Sequence, residues 1–291
     1  MNNKYAAIII DMQHSRRFDE EERFAIQDKL VSIINFINKY YVNEIVKNFE
    51  FSSGDSIQAL FKNVNDAISC YCFIRNMFYP YEVRCGIGYG KVNQKILDNN
   101  YNSTNMIDGE AYHYAISALN DCKMERYCFL VYSNKKENDD FVNQIMSTVE
   151  LLNFDFTNKQ SDVYNLFNLL YPLEIKYESQ SVETISNFII KILEKNVLSY
   201  EFNNLVSNKE IKLLFEEVID NYCRRDKNKF ELFGPAFPTK MNTICSILLD
   251  VSRQNIEKIR SVGKFDEIRK LELLVLEYTK KEYKGGSQWL Y

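Results

Sequence analysis

Apolar positions along the first 135 residues change period from element to element. Residues 5–10, YAAIII, form an unbroken apolar run that predicts a buried strand ending at Asp11. From about Asp19 to Tyr41, Phe24, Leu30, Ile33, Ile34 and Ile37 recur at helical spacing behind an acidic first turn, which predicts a helix. FEFSS (49–53) and SIQALF (56–61) read as two strands across Gly54-Asp55, a dipeptide suited to a tight hairpin turn. NDAISCYCFIRNMF (65–78) predicts a second helix stopped by Pro80, and EVRCGIGYGKV (82–92) a strand. A helix from Gly109 to Cys122 and a strand at YCFLVY (127–132) complete the series.

The order strand, helix, strand, strand, helix, strand, helix, strand predicts an α+β domain on a ferredoxin-like plan, with the hairpin central among the strands and the helices on one face. Glycines 86, 88 and 90 fall on alternate positions of one strand and would expose one backbone face for close approach. Their spacing, and the helix before them, do not fit a dinucleotide-binding fingerprint.

Beyond residue 135 the texture changes. KKENDD (135–140) reads as a solvated junction, and glycine is then absent until 234. Helical patterns dominate, which predicts an all-helical region with helix-turn-helix character. The expected division is 1–135 for the first domain, 136–204 for a helical spacer or degenerate helix-turn-helix, and 205–291 for a helix-turn-helix unit with a dimerisation helix at 265–283. Within PTKMNTICSILLDVSRQNIEKIRSVGKF (238–265), one short amphipathic helix precedes Asp250-Val251. Ser252 then caps a second helix, with Ile256 and Ile259 facing inward. Arg253, Gln254 and Asn255 are side chains able to reach base edges, and Lys258 and Arg260 could meet phosphates of double-stranded DNA. Any amphipathic helix also shows a polar outer face, so the same pattern suits a purely structural helix pair. In the tail, Trp289, Leu290 and Tyr291 are apolar groups available for docking.

Charge adds one refinement. The chain carries a formal −4, yet residues 221–270 hold 11 Lys or Arg against 6 Asp or Glu, so only this late segment invites a polyanion. The seven cysteines lie mostly in apolar runs, and with two histidines they make no zinc spacing. They read as reduced residues of a cytoplasmic protein, an expectation shared by the lack of a leader-like start or a membrane-length apolar run.

The chemistry concentrates at the end of the first strand. Asp11 is followed at once by His14, Ser15, Arg16 and Arg17. An acid at a strand mouth beside such donors can hold a metal-bound phosphate; equally, it can cap the next helix. If the hairpin brings Asp55 beside Asp11, two facing carboxylates would call for a hard cation, magnesium or manganese. Residues 12–17 and Gly54 would then surround the phosphates of a nucleoside triphosphate.

The segments IIIDMQHSRR, FSSGDSIQALF, VRCGIGYGKV and IDGEAYHYAISAL resemble the N-terminal domain of the SatD family and, more distantly, class III nucleotide cyclases and diguanylate cyclases. The resemblance spans roughly residues 4–133. It implies that Asp11 and Asp55 are catalytic metal ligands for two divalent ions. It also implies weak or absent cyclase turnover. The cyclase motif places an Asn and an Arg where this chain has His113 and Ser117, and Ser56 stands where relatives carry Glu. His113 could contact nucleotide in place of the Asn or simply pack beside its tyrosine neighbours. Arg84 is the one strand arginine nearby. SatD proteins further resemble regulators with a C-terminal DNA-binding helical region.

Two functions follow from these expectations. One is a metal-dependent nucleotide-binding protein, a sensor or weak nucleotidyl cyclase coupled to DNA binding. The other is a DNA-binding transcriptional regulator whose first domain only dimerises or senses a ligand. Either would be a homodimer away from the membrane.

Overall fold

The computed structural model describes residues 4–53, 56–93, 109–174, 187–189, 213, 217 and 236–283. Expected features at Gly54, Asp55, residues 175–186 and Trp289 to Tyr291 lie outside them. Two compact units emerge, Met1–Thr148 with Leu274–Tyr291, and Val149–Leu273. The first unit thus runs 13 residues past residue 135 and also takes in the end of the chain, beside the expected division at 135 and 204.

In the first unit the elements are β1 (Lys4–Met12), α1 (Glu20–Tyr40), β2 (Ile45–Ser53), β3 (Ser56–Phe61), α2 (Val64–Phe78), β4 (Val83–Lys91), α3 (Glu110–Glu125), β5 (Phe129–Ser133) and α4 (Lys136–Phe154). The strands form one sheet in the order β2-β3-β1-β4-β5. All neighbours are antiparallel except β4 and β5, which are parallel. β1 is central and buried on both faces, which is why YAAIII carries no polar alternation.

Alternation along the strands separates the two faces of the sheet. One face, with Phe61 of β3, packs against the α1 and α2 side, where Tyr41, Phe49, Phe36 and Phe73 form edge-on aromatic contacts. The other face, with Ala7, Ile9 and Leu60, packs against Ala111, Tyr112, Ala115 and Leu119 of α3. The helices therefore lie on both faces, not on one. The glycine stripe explains how. A Cβ at Gly86 would lie 2.3 Å from the Ala115 carbonyl oxygen, and one at Gly88 would lie 2.0 Å from that of Ala111. The backbone face opened by these glycines is filled by helix α3.

Asp19 starts α1, its carboxylate accepting from the Glu22 amide at 2.8 Å. Asp11 is thus not the helix cap. At the sheet edge, Asn143 of α4 accepts from the Val131 amide and donates to its carbonyl, covering β5 as a further strand would. Asp139 accepts from the Ser133 amide and hydroxyl at 2.6 and 2.8 Å and from the Tyr283 hydroxyl at 2.6 Å. Among the described residues, Cys70, Cys72, Cys85, Cys122, Cys128 and Cys245 form no disulfide.

The second unit holds the end of α4, α5 (Asn158–Leu170), α6 (Lys240–Leu248), α7 (Arg253–Val262) and the first half of α8 (Phe265–Glu282). Thr157 and Gln160 form a reciprocal capping box at the start of α5. Phe156, Tyr164, Phe167, Phe237 and Phe265 make an aromatic cluster. No helix among the described residues is long and apolar enough to cross a membrane.

Candidate functional site

β1 runs antiparallel to both its neighbours, and the register sets Asp11 opposite Ser56 of β3 and Arg84 of β4. These three residues share the sheet face that carries α3. They open a cavity of 710 Å³ within the first unit, walled also by His14, Ser15, Arg17, Ser52 and Gln58, and by Ile116, Leu119, Asn120 and Lys123 of α3. The α3 positions, spaced three and four apart, form one stripe of the helix. The cavity exists because α3 covers the glycine half of this face, whereas β3 offers polar Ser56 and Gln58 rather than a packing surface.

Three cationic side chains line this cavity. Lys123 Nζ lies 2.9 Å from Asp11 Oδ2, with the carboxylate 14% and the lysine 43% exposed. Arg84 Nε is buried without a hydrogen-bond partner among the described residues. Leaving such a donor dry and unpaired is costly, so an acceptor is expected there. Arg17 is exposed and closes the short 3₁₀ turn Ser15–Arg17, which begins at His14 in a left-handed conformation (φ 58°).

The sequence-predicted residues separate accordingly. Asp11, His14, Ser15 and Arg17 come together around the cavity. Asp55 and Gly54 lie outside the described residues, as does the side chain of Arg16. His113, expected either to contact nucleotide or to pack beside its tyrosine neighbours, is exposed on α3 and is not part of the cavity wall. It stands seven residues and about two turns before Asn120, at the far end of the helix from Lys123. Arg84, Asn120 and Lys123 were not singled out as binding residues. The signal for Arg84 was present, since it shares the even-numbered face of β4 with the three glycines.

For the expected magnesium or manganese site the described residues supply Asp11 alone, its expected partner Asp55 lying outside them. No group of three or more His, Cys, Asp or Glu among them is arranged to hold a metal ion. The cavity offers one described carboxylate, already paired to an ammonium, whereas hard divalent cations favour several oxygen ligands.

In the second unit Ser252 caps α7, its hydroxyl accepting from the Asn255 amide at 3.2 Å. Arg253, Gln254, Asn255 and Lys258 are exposed, and Ile256 is buried. Arg260 is a correction. Only 7% exposed, it donates from Nε and a terminal nitrogen to Asp266, and also to Asn242 Oδ1 and the Phe237 carbonyl. It packs over the Phe167 and Phe237 rings as well, so it is an internal hub and not a phosphate contact.

A SatD family profile matches residues 5–212, which is most of the chain and includes the whole cavity. The chain belongs to the SatD family. No curated protein matches this SatD chain. Among solved structures it is similar to two described as a bacterial light-regulated adenylyl cyclase. One is 18% identical with a TM-score of 0.34, over 44% of this chain and 74% of the other. The second is 15% identical with a TM-score of 0.31, over 44% and 42%.

Proposed function

We propose that this SatD protein is a nucleotide sensor: its first unit binds the phosphates of a nucleotide in the β1–β4–α3 cavity, and its helical unit contacts DNA. The observation that carries the nucleotide reading is the unpaired, buried Arg84 Nε beside Lys123 and Arg17. An anion with several acceptor oxygens satisfies that donor and offsets the two neighbouring positive charges. Ser15 and the turn amides next to it offer further donors, and the exposed Ile116 side chain at the rim offers an apolar surface for a base. The strand order β2-β3-β1-β4 accords with the ferredoxin-like, cyclase-type plan expected from the sequence.

Binding without conversion is the expected mode. Ser117, which stands at the cyclase arginine position, is exposed and absent from the cavity wall, as is His113. The developing negative charge of a phosphoryl-transfer step therefore has no donor from those two positions. DNA contact rests on a different observation, the capped α7 with Arg253, Gln254, Asn255 and Lys258 on its exposed side.

Isothermal titration of the full chain with ATP, GTP, CTP and UTP, followed by chromatography of the recovered nucleotide, tests the first half. Retention of unconverted nucleotide that Arg84→Gln weakens supports a sensor. Steady production of a cyclic nucleotide makes the protein an enzyme, and no retention of any nucleotide removes the reading.

A further inference from the structure

Asp11 and Lys123 come from different elements, the end of the central strand and the last turn of α3, and they meet at 2.9 Å on the cavity wall. The register neighbour of Asp11 on β4 is a second cation, Arg84. A divalent ion arriving at Asp11 would displace the ammonium or sit against it, with the Arg84 guanidinium beside it. Both arrangements oppose metal entry by like-charge repulsion. A phosphate group meets the opposite field: the positive groups outnumber the one described carboxylate, and Arg84 Nε has an unfilled donor.

We propose that the Lys123 ammonium takes the place of a divalent cation at Asp11, so that the cavity accepts a phosphate-bearing ligand in its metal-free form. This rests on the nucleotide reading above and adds the ionic form of the ligand. Lys123 neutralises Asp11 at the strand mouth, where an uncompensated carboxylate would repel phosphate oxygens. Its other two N–H groups remain available to the ligand. Asn120, one turn earlier on the same face of α3, offers an amide donor to the same space.

Two measurements on the full-length protein separate this inference from the reading beneath it. The first follows free Mn²⁺ by electron paramagnetic resonance with no nucleotide present. Wild type is expected to take up little Mn²⁺, and Lys123→Met is expected to bind it at least tenfold more tightly. Lys123→Arg should behave as wild type, and the double variant Asp11→Asn/Lys123→Met should lose the gain. The second titrates ATP, GTP and inorganic pyrophosphate in EDTA and again in excess Mn²⁺. Wild type should bind at least one probe in EDTA, and Lys123→Met should lose at least tenfold there while becoming Mn²⁺-dependent. Tight Mn²⁺ uptake by wild type that Asp11→Asn abolishes overturns the inference, as does binding of every probe only with Mn²⁺. Failure of all probes in both buffers overturns the nucleotide reading instead, and the Mn²⁺ uptake of Lys123→Met still decides the role of the lysine. Equal thermal melts of the variants establish that the differences arise at the site.

Discussion

Arg260 and Asp266 form a two-pronged ion pair, Nε to Oδ2 and a terminal nitrogen to Oδ1, each at 2.7 Å. The carboxylate also accepts from the Ala236 and Phe237 amides, so one pair joins the segment before α6, the end of α7 and the start of α8. Arg260→Ala would leave this carboxylate without its cationic partner and remove the donor to Asn242 Oδ1 and the Phe237 carbonyl. The expected loss is about 3–5 kcal/mol, read from denaturant unfolding. Arg260→Lys is expected to recover little of it, because an ammonium cannot reproduce the planar fork.

The same pair fixes a pH dependence. Burial pushes the Asp266 carboxyl up, but the Arg260 bonds and charge and the two amides together outweigh it and hold the group below its usual range. A depressed native value means that its stabilisation is complete above the unfolded carboxylate's range and is lost as pH falls through the native one. Asp266→Asn should therefore be less stable at neutral pH and show a smaller further loss on acidification. Thermal melts between neutral pH and about pH 2 check this.

The glycine stripe of β4 predicts a graded series. Gly86→Ala and Gly88→Ala drive a methyl into the α3 backbone, so each should cost at least roughly 1–3 kcal/mol or prevent folding. Gly90→Ala meets the Glu110 Cβ at 2.7 Å and the Ala111 amide at 3.0 Å, a milder overlap than at the other two positions, and its cost should be the smallest of the three. Chemical unfolding of the three single variants gives the order.

On α7, Lys258→Ala should weaken binding to any duplex about equally and lower the salt dependence by about one ion, whereas Arg253→Ala should cost about 1–3 kcal/mol at a preferred site alone. Fluorescence anisotropy on random and selected duplexes at two salt concentrations distinguishes them. Absence of low-salt binding by wild type removes the DNA reading.

Tyr283→Phe removes the hydroxyl that donates to Asp139 Oδ1, which is largely sequestered from water. The Ser133 donors remain, so a loss of about 1–3 kcal/mol is expected in the thermal stability of the first unit. The aromatic ring should keep its edge contact with Tyr89, which makes this a test of the hydroxyl alone.

Much of the element order could be read from the sequence because period and punctuation agree locally. The helix behind Asp19, the stop before Pro80 and the Ser252 cap each depend on neighbours a few residues apart. What escaped depends on long-range placement. The alternate glycines announced a close approach, yet nothing local said that a helix, not a ligand, would make it. Lys123 was invisible as a partner of Asp11 because 111 intervening residues decide whether they meet. Arg260 looked like its neighbour Lys258, a cation on a polar helix. Only the tertiary position of Asp266 turns it inward.

The bond between Tyr283 and Asp139 spans 144 residues of chain, with the entire second unit encoded between its ends. During synthesis the sheet can assemble long before its last contact exists, and the Asp139 carboxylate waits with one donor missing while the helical segment is made. Closing so long a loop carries an entropic cost that grows only slowly with its length, so the inserted segment can vary in size at modest thermodynamic expense. The first unit is therefore interrupted rather than followed. A fragment cut at the apparent junction near residue 135 would omit both members of its final hydrogen bond.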